Sequence, residues 1–102
     1  MKIRHNSPER RARANQGRDR AFAAGMEWGG HHWQIDASSR AAIASRALRL
    51  MLDPGITTVE WRNQGNTEVR LSREQFQQLA LAVDAHCEQI QRHCWSQKDA
   101  TP

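Results

Sequence analysis

The feature that most constrains this chain is a long uninterrupted helical pattern in its last third. No glycine or proline occurs between Ser72 and Pro102. Ser72 and Gln75 have the spacing of a capping box, which predicts a helix that starts there and runs to about Lys98. Apolar residues recur along it at separations of four and three residues, as in a heptad seam. The seam consists of Phe76, Ala80, Val83, Cys87, Ile90 and Cys94. An amphipathic helix of this length is built to pack against other protein.

Two kinds of neighbour can cover this seam. An amphipathic face usually covers the rest of its own domain, here the hairpins. The C-terminal half of the helix, however, extends beyond the expected edge of the sheet, where a second copy or another subunit can pack against it. Three heptads are short for a free-standing coiled coil, so a mixture of both is open. The residues assigned to the domain core are Phe76, Leu79 and Val83. Those assigned to protein interaction are Cys87, Ile90, Cys94 and Trp95.

Cap and turn signals divide the rest of the chain. Ser7 and Pro8 predict the start of a helix that runs towards Ala24 and stops at Gly25, and only residues 21–23 offer it an apolar docking surface. A second helix is expected over 37–52, capped by Asp36, with an apolar stripe that includes Met51.

Two hairpins separate the three helices. Large apolar and polar residues alternate on both sides of Gly29-Gly30, and two Thr- and Val-rich strands, 57–62 and 67–71, flank the turn at 63–66. Their core residues are expected to be Trp28, Trp33 and Trp61. The predicted order is helix, β-hairpin, helix, β-hairpin and long C-terminal helix, which is a small α+β domain.

The positive charge is concentrated at the N-terminus. Residues 1–20 hold seven basic and two acidic residues, whereas the whole chain of 102 residues has a formal charge of +4. We therefore expect a basic arm over 1–17 and one domain over 18–100. The arginines assigned to interaction are Arg10, Arg11, Arg13 and Arg18. A solvated helix end, an acidic protein partner and nucleic-acid phosphate are all open; no aromatic residue interleaves with the arginines, so nucleic acid is not the expected partner.

Catalytic and metal-binding patterns are not evident. His86 and His93, like Cys87 and Cys94, are seven residues apart, whereas helical metal ligands are three to five apart. Seven residues of helix rise about 10.5 Å, too far for the cysteines to form a disulfide. No glycine-rich phosphate loop or nucleophile motif occurs. We expect no enzymatic activity, cofactor or metal. Since no segment has the ~20 apolar residues of a membrane span and no signal peptide is evident, synthesis in the cytoplasm is expected.

The order of several short motifs is distinctive. The first half contains Arg18-Asp19, Ala23-Ala24-Gly25, Trp28, Gly30-His31-His32-Trp33 and Asp36. The second half contains Trp61, Asn66-Thr67-Glu68-Val69, Leu71-Ser72, Gln75-Phe76, Ala82-Val83, His86, Trp95 and Lys98-Asp99-Ala100. In this combination, about residues 18–100 resemble a family of bacteriophage tail and tail-fibre C-terminal domains of unknown function.

The resemblance implies a phage tail-associated structural protein, that is, a tail, baseplate or fibre subunit. It would be made in the host cytoplasm, reside in the virion tail, occur in several copies and bind other tail proteins. Family members typically end longer fibre proteins, whereas about 17 residues precede the domain here, so a small separate subunit is expected as readily as a fibre tip. Two alternatives remain open: a tail-fibre assembly chaperone that leaves the virion, and a small phage regulator that binds nucleic acid or a host complex through its Arg-rich arm.

Overall fold

The computed structural model describes residues 8–100, which form three helices and two antiparallel hairpins. The helices are α1 (Pro8–Ala24), α2 (Ala37–Leu52) and α3 (Arg73–Asp99). The strands are β1 (Met26–Trp28), β2 (His31–Trp33), β3 (Thr58–Arg62) and β4 (Glu68–Ser72). The predicted α+β order of helix, hairpin, helix, hairpin and long helix is confirmed. Within the described residues, no helix is long and apolar enough to cross a membrane.

Local hydrogen bonds explain where α2 and α3 begin. The Asp36 carboxylate accepts from the Ser39 backbone N–H at 2.8 Å. Hydrogen bonding to the Ser39 side chain, and then to the Ser39 backbone, lowers the pKa of Asp36. At α3, the Gln75 N–H donates to Ser72 Oγ at 3.0 Å, and the Ser72 N–H donates to Gln75 Oε1 at 2.8 Å. The predicted capping box is therefore confirmed. The predicted N-cap at Ser7 lies outside the described residues.

The turns use residues with positive φ. Gly29 and Gly30 have φ of 61° and 82°, the two-residue turn that matches the twist of a tight hairpin. Asn66, at φ 64°, closes the β3–β4 turn. This turn also joins the two hairpins, since the Gln64 N–H donates to the His32 carbonyl at 2.8 Å. The two small sheets are thereby held together without a continuous ladder.

The core lies between the first half of α3, the two hairpins and α2. The residues buried in it are Trp33, Ile35, Ile43, Leu50, Val59, Leu71, Phe76, Leu79, Val83 and Cys87. Trp28 and Trp61 are half-buried against this cluster. The Trp33 indole donates to the Trp28 carbonyl at 2.8 Å, and the rings of Trp61 and Phe76 meet edge to face at 5.0 Å. The expected core residues thus lie in or against one cluster.

Helix α1 packs antiparallel along the second half of α3. Ala14 is only 2% exposed, and its carbonyl accepts from the Cys94 thiol at 3.4 Å. The expectation that only residues 21–23 dock is wrong in two respects, because Ala14 is buried and Ala23 is exposed. The expected division between an arm over 1–17 and a domain over 18–100 falls inside this continuous helix. Residues 1–7 of the arm lie outside the described part.

Candidate protein-binding groove

Helices α2 and α3 run antiparallel and leave an open groove between them. The beginning of α3 lies beside the end of α2, since Arg73 donates to the carbonyls of Asp53 and Ile56 at 3.1 and 2.8 Å. At the other end, the charges of Arg40 and Asp84 both act on Cys87. The segments between these anchors, 40–53 and 73–87, each rise about 20 Å, so the two helices match in length.

The groove has an apolar floor and exposed apolar rims. Its volume is about 780 Å³, and its floor includes Ile43, Ala47, Ala80, Val83 and Cys87. On the rims, the exposed fractions are 55% for Leu48, 72% for Met51 and 64% for Leu81. Large apolar side chains clustered along a concave surface are typical of a site that binds protein.

Met51 corrects the sequence-based interpretation of α2. It was expected in the stripe that docks on the domain, but it lies on the rim of the groove. The sign of this exposure in the sequence was the number of apolar residues on α2, because one buried face of a helix cannot accommodate all of them. These residues are Ile43, Ala47, Leu48, Leu50, Met51 and Leu52. Leu81 was likewise missed, because it stands beside the seam of α3 and not in it.

Charged groups occur at one end of the groove. The Arg40 guanidinium lies 4.3 Å from the centre of the Phe22 ring, and its Nε is buried with no hydrogen-bond partner within the described residues. No ion pair joins Arg40 to Asp84 within residues 8–100. Burial raises the pKa of the Cys87 thiol; Arg40 opposes this rise and Asp84 adds to it. Cys87 is therefore a protonated floor residue and not an activated nucleophile.

Of the four α3 residues assigned to protein interaction, Ile90 and Cys94 are covered by α1 of the same chain. Cys94 is buried against Ala14, and half-buried Ile90 lies near Gly17 and Ala21 of α1. Cys87 lies in the floor of the groove, so among these four residues only Trp95 is exposed. A partner cannot reach the second half of the seam unless α1 moves away.

The arginines assigned to interaction lie on α1, and only two of the four, Arg10 and Arg13, line a common cleft. Arg10 donates to the Ala100 carbonyl, and Arg18 pairs with Asp19 at 3.0 Å. Arg11 and Arg13 are exposed. A second, more polar cleft between α1 and α3 is lined by Arg10, Arg13, Ala14, Gly17, Arg20, His93 and Gln97. Its position leaves the groove between α2 and α3 free of these arginines.

The histidines of the first hairpin have structural partners. The His32 ring bridges the Glu27 carboxylate and the Ala24 carbonyl, and its Nε2 lies 2.6 Å from that carbonyl. The bond to Glu27 and then the bond to Ala24 raise the pKa of His32. His31 Nδ1 lies 3.2 Å from Asn63 Nδ2 of the other hairpin. Among residues 8–100, no group of three or more His, Cys, Asp or Glu side chains is placed to hold a metal ion.

Comparison with known proteins identifies a family but no close relative. No curated protein and no solved structure matches the chain. One family pattern matches residues 6–101, which includes all of α1 and so joins the Arg-rich helix to the domain. This match covers nearly the whole chain of 102 residues. The chain therefore belongs to the family described as Domain of unknown function (DUF4376).

Proposed function

We propose that this protein is a structural subunit that assembles with other protein through the groove between α2 and α3. The observation that carries the proposal is the exposure of Leu48, Met51 and Leu81 around an apolar floor. Leaving these side chains in water is unfavourable, and full burial of such a side chain contributes about 1.5–3 kcal/mol, of which a partner supplies the share that corresponds to the exposed part. An open groove with this lining suits a packed helix better than a polar substrate.

The setting that we propose is the tail of a bacteriophage. The resemblance of residues 18–100 to phage tail domains supports this setting, and the apolar groove supports the assembly role. The subunit would be made in the host cytoplasm and retained in the virion beside other tail proteins. The surface differs from the one expected from the sequence, because α1 covers the second half of α3. Helix α2 and the first half of α3 take its place.

The test is incorporation into phage particles, measured by quantitative mass spectrometry of purified virions. The variant is Leu81→Gln, which removes an apolar rim residue without touching the buried core. Its matched control is Leu52→Gln, because Leu52 is 75% exposed on α2 but does not line the groove. Loss of one buried leucine contact lowers affinity about tenfold or more, so Leu81→Gln should be depleted and Leu52→Gln should not.

Each contrary result has a distinct meaning. Equal incorporation of the two variants would exclude the groove as the assembly surface. If particles form only when the wild-type protein is present, but mature particles do not contain it, the protein is the assembly chaperone of the alternative. A salt-dependent shift of DNA or RNA at micromolar protein, lost on charge reversal of Arg11 and Arg13, would instead favour the regulator.

A further inference from the structure

We infer that the groove is filled by a second copy of this chain, so that α2 and α3 of two protomers form a four-helix bundle. This inference rests on the proposed function, since it names the partner of the same groove. Two antiparallel helices with an apolar groove between them are half of such a bundle. The α2 and α3 helices of a second copy supply two more apolar faces of the same length, which is about 17 Å for residues 40–51 of α2.

The distribution of charge along the groove selects one arrangement. Arg40 and Asp84 line one end, whereas the remaining lining residues are uncharged. A two-fold axis parallel to the helices puts α2 beside the partner's α3, antiparallel to it, and keeps both charged ends at the same height. Arg40 then lies level with the partner's Asp84, and the symmetry repeats this pair.

The alternative two-fold axis, perpendicular to the helices, is disfavoured. It would put the charged end of one copy on the rim formed by Leu48 and Met51 of the other. Arg40 and Asp84 would then be desolvated against apolar side chains, which is costly without a partner. Within the described residues of one chain, neither Arg40 nor Asp84 takes part in an ion pair, although Arg40 stacks on Phe22, so the two charges can pair between copies.

A foreign helix would fit the apolar floor but needs its own acid and base at the matching height. The chain's own second copy supplies both at the required positions. The face is small, about 17 Å long and about two helix diameters, or 20 Å, wide, which gives roughly 340 Å² per partner and places the interface below the usual size of stable complexes, among the weak and transient ones. We therefore expect a reversible dimer that dissociates on dilution into the micromolar range.

Sedimentation equilibrium of the full chain, from about 1 to about 300 µM, is the first measurement, because this range spans a micromolar dissociation constant. The wild type should change from monomer to dimer with concentration. Leu81→Glu should weaken the dimer at least tenfold, whereas Leu52→Glu, which changes an exposed leucine outside the groove, should not. A wild type that is monomeric throughout, or a dimer that Leu81→Glu leaves unchanged, overturns the inference.

A pair of charge reversals tests the orientation. Arg40→Glu alone creates two acid–acid contacts in a dimer, and Asp84→Arg alone creates two base–base contacts, so each variant should be largely monomeric. A mixture of the two variants creates two opposite-charge pairs, so heterodimers should form at wild-type concentrations. Failure of the mixture to associate refutes the parallel two-fold axis. Since Arg40 also contacts Phe22, circular dichroism must show that Arg40→Glu is folded. If it is not, the neutral variants Arg40→Gln and Asp84→Asn replace the charge reversals. Full dimerisation of either neutral variant on its own refutes the orientation.

The two sets of measurements test the dimer and the assembly role independently. If the wild type is monomeric in solution but Leu81→Gln is still depleted from particles, the groove binds a different tail protein. If the dimer forms as expected but both leucine variants enter particles equally, the self-association stands and the proposed assembly surface does not.

Discussion

Replacing Ala14 by leucine tests whether α1 is truly part of the domain. Ala14 is 2% exposed at the contact with α3, and its carbonyl oxygen is 3.4 Å from the Cys94 sulfur. Helices that approach through small residues lie at the short end of the usual 8–10 Å separation. A leucine side chain adds three carbon atoms at a point where the neighbouring helix already makes contact. The exposed residue Ala12, on the same helix, provides a control with the same chemical change.

The expected cost follows from overpacking a buried contact. Inserting extra carbon atoms into a packed interface destabilises by about 1–3 kcal/mol. At the exposed position, the change should lie within about 0.5 kcal/mol of zero. For a domain of about 100 residues, each kcal/mol lowers Tm by about 4–8 °C. The two leucine variants should therefore differ clearly, although their intrinsic helix propensities change equally.

Urea unfolding followed by tryptophan fluorescence and circular dichroism measures the difference. Three of the four tryptophans, Trp28, Trp33 and Trp61, report on the core, and circular dichroism reports on all the helices. With Trp95 replaced by phenylalanine in every variant, undocking of α1 alone would separate the two curves. Hydrogen exchange along α1 distinguishes local undocking from global unfolding. If Ala14→Leu and Ala12→Leu have the same free energy of unfolding within about 0.5 kcal/mol, the packing of α1 against Cys94 is refuted.

Two further predictions concern the junction between α1 and the first hairpin. Gly25→Ala should lower the free energy of unfolding by more than about 1 kcal/mol, since Gly25 has φ +74° and an added Cβ would lie 2.6 Å from the Trp33 carbonyl oxygen. Gly17→Ala, inside α1, is the contrast, because an added Cβ there would have no atom nearer than 4.0 Å. Thermal unfolding should show that Gly17→Ala stabilises the protein by about 0.5–1 kcal/mol. Hydrogen bonds to Glu27 and Ala24 raise the pKa of His32. The contribution of His32 to stability is therefore fully present below the ordinary pKa of 6.5 and is lost as pH rises through the folded-state pKa. The stability difference between wild type and His32→Gln, measured by urea unfolding across pH, should therefore shrink with rising pH; a difference that grows would contradict the assignment.

The parts of the fold that local chemistry determines could be predicted from the sequence. Caps are such features, because Asp36 and Ser72 satisfy backbone N–H groups only a few residues away. The Gly29-Gly30 turn is another, since two consecutive positive φ angles favour glycine at both positions. These signals require no knowledge of distant neighbours, and they define the order of helices and hairpins.

The neighbour of each apolar face could not be predicted in the same way. Periodicity shows that α3 has a buried face but not which element covers it, and Ala14 carries almost no hydrophobic signal of its own. For the same reason, Met51 was expected against the domain but lies on the groove rim. The number of apolar residues on α2 was the sign in the sequence that some of them lie outside its buried face.

Helix lengths explain why the groove is open where it is. Helix α3 has 27 residues and α1 has 17, which correspond to about 40 Å and about 25 Å. Because α1 starts opposite the end of α3, it leaves about 15 Å of the first half of α3 without a third helix. Gly25 then turns the chain into β1, so α1 cannot extend over Leu81. Among the described residues, the apolar surface of α2 and α3 is thus left open beyond the point at which α1 stops, and this is the surface that we propose a second copy covers.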